Sequence, residues 1–99
     1  MSETTFFEIT FPTAADYSVG GRQEIEDRLD DALRHADLGE VTGGGTGLGR
    51  ANIDVEVSDA QRGLILVRDV LQSLGLAPST IIRQAGSPSI EHPLYQPTT

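Results

Sequence analysis

The stretch Gly43–Arg50, GGGTGLGR, is the part of this sequence that comes closest to a chemical motif. Dense glycine lets backbone amides approach a phosphate, and the P-loop G-x-x-x-x-G-K-[ST] works in that way. From Gly44 the chain reads GGTGLGRA, so Arg50 stands at the lysine position and Ala51 replaces the hydroxyl that would hold magnesium. A P-loop also opens a helix, whose N-terminus helps to hold the phosphate. Here the loop runs into NIDVEV, which alternates like a strand. No register fits the dinucleotide pattern G-x-G-x-x-G. The glycines read instead as the bend of a hairpin turning near Leu48 to Arg50, where positive φ is needed. They also read as a bulged, accessible strand at a sheet edge.

Other chemistry-bearing side chains are sparse. His35 and His92 are the only histidines and are not spaced as helical metal ligands. His35 reads as an exposed residue near a helix C-terminus, where positive charge is favoured. Asp30 and Asp31 are adjacent, so they diverge around a helix and do not share a proton. No G-x-S-x-G elbow is present. Arg22, Arg50 and Arg83 would form an anion site only if folding gathered them, and pairing with nearby acids is the simpler reading. With no cysteine, disulfides and thiolate metal sites are excluded. No catalytic, cofactor-binding or metal-binding residue is assigned.

The chain has 99 residues, 37% hydrophobic, with no tryptophan, which fits one domain over 1–99 with an aliphatic core. Net charge is -8, from 15 acidic residues against 7 basic ones, all of them arginine. Such a chain repels nucleic acid and anionic membrane. It fits a basic protein partner, or a surface kept acidic for solubility alone. No run is long and apolar enough to cross a membrane, and the start lacks the basic flank of a signal peptide. The expected location is cytoplasmic.

The elements that must carry these residues follow from periodicity. TFFEITF, Thr5 to Phe11, alternates, with Phe7, Ile9 and Phe11 on one face and Phe6, Glu8 and Thr10 on the other. TAADYSVGG is a linker in which Asp16 or Ser18 would cap the next helix. In RQEIEDRLDDALRHADLG, Ile25, Leu29, Ala32, Leu33 and Ala36 form one helical stripe, and Gly39 is the expected left-handed stop. Glu24 is placed to pair with Arg28, and Asp30 with Arg34. Glu26, Asp27, Asp31 and Asp37 have no obvious local partner.

Ala51 to Val57 alternates again, with Ile53, Val55 and Val57 opposite Asn52, Asp54 and Glu56. Ser58 with Gln61 reads as a capping box for a helix that buries Ala60, Leu64, Val67, Val70, Leu71 and Leu74 and stops at Gly75. Ser79 to Gln84 is a short strand. The Pro/Ser-rich tail 85–99 is either disordered or adds an edge strand over Ile90 to Tyr95. If GEVTGGGTGLG supplies the second strand, the order is βαββαβ. The expected fold is α+β: a ferredoxin-like sandwich with a four-stranded antiparallel sheet and two helices on one face.

The segment GEVTGGGTGLGRANIDVEVSDAQRGLILVRDVLQSLGL, Gly39 to Leu76, resembles the central part of small acidic ferredoxin-like proteins found in bacterial polymorphic-toxin immunity loci. The shared pattern is a glycine-led strand, a glycine-rich hairpin, an alternating strand and a helix opened by Asp and Ala. The resemblance implies a role in neutralising a toxin and brings no functional residues with it.

The expected function is a non-enzymatic acidic module that binds a basic, toxin-like protein. The alternative is a small-ligand sensor acting as a dimer through an edge strand or the open sheet face. Two acidic patches compete for the partner. One is the open sheet face, with Glu8, Asp54 and Glu56. The other is the outer side of the first helix, with Glu26, Asp27, Asp30 and Asp31. The sheet face is preferred, because like charges on neighbouring strands are unfavourable unless something basic lands on them.

Overall fold

A computed structural model describes residues 4–12, 22–47, 49–76, 78–86 and 88–95. The elements are β1 (Thr5–Pro12), α1 (Arg22–His35), β2 (Gly39–Gly47), β3 (Arg50–Val57), α2 (Ala60–Ser73), β4 (Ile81–Gln84) and β5 (Ile90–Pro93). The linker 13–21, with the two capping candidates Asp16 and Ser18, lies outside the described residues, as does Leu48.

Alternation in β1 and β3 makes one face of the sheet apolar, and that face becomes the core. Phe7, Ile9 and Phe11 of β1 are buried with Ala51, Ile53, Val55 and Val57 of β3. Ile25, Leu29 and Leu33 of α1 and Val67 and Leu71 of α2 join the same buried cluster, so both helices cover this face. The sheet order is β2-β3-β1-β4-β5 and every neighbouring pair is antiparallel. Among the described residues the fold is therefore α+β with two helices and a five-stranded antiparallel sheet, one strand more than the expected four.

The fifth strand comes from the tail. Ile90–Pro93 pairs with β4, and Leu94 behind it is fully buried. Three side chains fasten the segment from outside the sheet. Arg68 Nε donates to Pro93 O at 3.1 Å, Gln72 Nε2 to Leu94 O at 2.8 Å, and Tyr95 OH to Leu76 O at 2.9 Å. One buried leucine and two α2 side chains that donate to the tail's carbonyls order a stretch whose composition leaves disorder and an edge strand equally open.

Two helix boundaries differ from the sequence reading. The left-handed residue after α1 is Asp37, with φ 57°, and not Gly39. Gly39 already belongs to β2, and its backbone lies so close to the Glu56 carbonyl that a side chain there would collide with it. The glycine is needed for approach, while Asp tolerates the left-handed turn. At α2 the cap is Asp59, which accepts from Arg62 N at 3.0 Å. Ser58 instead donates to Leu38 O, tying the end of β3 to the exit of α1. Gly75 has φ 74°, the left-handed stop expected there.

The buried stripes are also narrower than periodicity suggests. In α1, Ala32 is only half-buried, and Ala36, just past its end, is exposed; in α2, Ala60, Leu64 and Val70 are only half-buried. Gly63 is buried in their place, because α2 packs so closely that an added Cβ would meet the Val57 side chain at 2.8 Å.

Candidate functional site

The glycine run makes a strand and a turn. β2 pairs with β3 from Gly39↔Val57 to Gly47↔Arg50, with a bulge between Val41 and Gly43. Gly49 takes φ 76° in the connection. The run leads strand into strand and presents no helix N-terminus.

The face of the sheet away from the helices is polar. Register sets its side chains in rows. Across the middle run Glu91 of β5, Arg83 of β4, Glu8 of β1, Asp54 of β3 and Gly43 of β2. The adjacent row holds Phe6, Glu56 and Glu40. Glu8, Asp54 and Glu56, expected together on this face, are brought together by this register. Phe6 stands among them 48% exposed. A shallow hollow of about 290 Å³ opens between Phe6, Glu8, Thr42, Asp54 and Arg83.

Charge on this face is only partly balanced. Arg83 reaches Glu8 at 3.5 Å and Glu91 at 3.3 Å. Glu40, at the sheet edge, is held at 2.9 Å by Arg34 of α1. Asp54 and Glu56 have no cation partner among the described residues, and the Asp54 carboxylate receives from them only a long bond from Asn52 Nδ2 at 3.4 Å. Two neighbouring carboxylates beside an exposed aromatic ring are thus available to an incoming cation.

The helix patch is different. Asp30 Oδ1 accepts from Val41 N at 3.0 Å, and Asp30 Oδ2 meets Arg34 Nε at 2.9 Å. The Val41 amide, then Arg34, holds the Asp30 carboxyl below its ordinary pKa against a smaller opposing effect of burial, while Asp30 and Glu40 raise that of Arg34. Glu26, expected to lack a local partner, is bound by Arg22 at 2.7 Å. Glu24 and Arg28 approach at 3.7 Å as their spacing suggests. Only Asp27 and Asp31 remain exposed without an ion pair among the described residues. Asp30 and Glu26 serve the fold, so this patch offers less free charge than its sequence suggests.

Arg22, Arg50 and Arg83 are not gathered into one site. Arg22 binds Glu26, Arg83 binds Glu8 and Glu91, and Arg50 begins β3. His35 ends α1, while His92 sits on β5 with Nε2 3.1 Å from Gln84 Oε1 and its ring edge-on to Phe7. Among the described residues, no cluster of His, Cys, Asp and Glu is arranged to hold a metal ion. Among them, too, no helix is long and apolar enough to cross a membrane.

The sequence reading missed Arg83, Glu91 and Glu40 as members of the open face. Their membership depends on the β1–β4, β4–β5 and β2–β3 registers, which no local pattern specifies. Phe6 was placed on the correct face by alternation. No family model matches the chain, and neither a curated protein nor a solved structure matches it.

Proposed function

We propose that this protein is a non-enzymatic binding module whose acidic sheet face receives a basic protein, in the manner of an immunity or inhibitor protein that neutralises a toxin. The observation that carries the reading is the pair Asp54 and Glu56, neighbours on β3 and unpaired with any cation among the described residues, beside the exposed Phe6. An arginine or lysine on the partner would find a carboxylate pair there and an aromatic face for its stem. The strand order β2-β3-β1-β4 supports the ferredoxin-like split-βαβ reading, with β5 as an addition at one edge.

The net charge of -8 adds long-range attraction, so encounter with a basic partner is steered. The test is association kinetics with candidate basic toxin domains at low and high salt. The association rate is expected to fall steeply with salt, while an unsteered interaction would change little. The small-ligand alternative draws on the 290 Å³ hollow beside Phe6 and Arg83. A ligand seated there would bind with little salt dependence and without a protein partner.

A further inference from the structure

On the far side of the molecule, α2 turns an apolar strip to solvent. Ile65 is 68% exposed and Leu66 is half-buried next to it. With Leu38 they line an open hollow of about 680 Å³ flanked by Arg62 and Asp69. Successive positions 62, 65, 66 and 69 share one helix face, because residues three and four apart are neighbours there. Neither Arg62 nor Asp69 makes a side-chain ion pair among the described residues. Arg68, by contrast, is committed to the Pro93 carbonyl.

The charges on this strip complement the strip itself. The midpoint between Arg62 and Asp69 falls between Ile65 and Leu66. If two α2 helices cross antiparallel about that midpoint, Arg62 of each copy faces Asp69 of the other, and Ile65 and Leu66 meet at the centre. A two-fold interface requires this self-complementarity, since the same surface must serve both copies. An unrelated partner requires no such symmetry. The two charges lie about 10 Å apart along the helix, on either side of the apolar contact.

We infer that the outer face of α2 is a self-association surface, and that the protein forms an antiparallel α2–α2 dimer with reciprocal Arg62–Asp69 pairs. One helix pair is a small interface, so the dimer is weak and depends on concentration. It lies on the helical layer, opposite the acidic sheet face, and leaves both acidic faces of the dimer open. The inference does not rest on the proposed function.

Sedimentation equilibrium over a concentration series tests it. Wild type is expected to associate to a dimer and no further. Arg62→Glu and Asp69→Arg each turn two attractions into two repulsions and should weaken association at least about tenfold. An equimolar mixture of these two variants should recover it, because each then offers the charge that the other lacks. Asp54→Asn with Glu56→Gln should leave association unchanged. Wild type that stays monomeric throughout the series would overturn the inference. So would a dimer indifferent to both single substitutions, or a mixture that associates no better than either variant alone.

Discussion

Asp30 shows how a surface acid becomes structural: one of its oxygens holds Arg34 on its own helix and the other accepts the backbone N–H of Val41 on β2. Asp30→Ala loses both bonds and should cost on the order of 1–2 kcal/mol in a denaturant titration, whereas Asp30→Asn keeps an acceptor for Val41 and should cost less. Because the folded state lowers the Asp30 pKa, its contribution is present above the ordinary carboxylate value and is lost as pH falls through the lowered one. His92 acts at milder pH. Burial, and then the charge of Arg68, lowers its pKa, so folding favours the neutral ring. The stability linked to it is complete above about pH 6.5 and declines as pH falls from there through the lowered folded value. Wild type should therefore lose stability as pH falls below about 6.5, and His92→Gln should flatten that part of the profile. Thr80 is fully buried and its hydroxyl has no hydrogen-bond partner among the described residues. Thr80→Val removes a buried group that gains nothing from folding and should raise the melting temperature.

At the scale of elements, close packing decides which glycines matter. Gly63 lets α2 approach Val57 so closely that Gly63→Ala must overpack. Alanine would improve helix propensity, but Val57 is β-branched on a strand and has little room to turn. The clash should win, with a net loss on the order of 1–2 kcal/mol by chemical denaturation. A side chain at Gly47 meets nothing within 4 Å, so Gly47→Ala should change stability by no more than about half a kcal/mol. Leu71, fully buried at the centre of the α2 stripe, should lose on the order of 2–5 kcal/mol as Leu71→Ala. The core faces of β1, β3 and both helices were legible because their apolar residues repeat at the strand or helix period. Gly63 and Gly39 were not, since their reason is the close approach of another element, the Val57 side chain at Gly63 and the Glu56 carbonyl at Gly39, which only the packing creates. β5 was legible only as an alternative: its order depends on Leu94, Arg68 and Gln72 meeting through the fold. Glu8, Asp54 and Glu56 were placed together by alternation and strand order, while the cation that tempers Glu8, Arg83, depended on a register between distant strands.

For the whole molecule, the sheet separates two surfaces of different character. One carries the acids of β1, β3 and β5 around Phe6, and the other is the helical layer with the apolar strip of α2. Glu8 and Asp54 face each other directly across β1 and β3. Like charges so placed cost up to about 1 kcal/mol per pair, partly relieved here by Arg83. Asp54→Asn with Glu56→Gln should thus stabilise the isolated protein slightly while removing the carboxylates proposed to receive the partner. The α1 surface supplies the comparison, because Asp27 and Asp31 can be neutralised without touching Asp30 or Glu26. The most direct measurement is the affinity for a basic toxin-like partner of these two double variants, Asp54→Asn with Glu56→Gln and Asp27→Asn with Asp31→Asn, each removing the same charge. Binding lost in the sheet variant and retained in the helix variant is the predicted result; binding retained in the sheet variant and lost in the helix variant would contradict it.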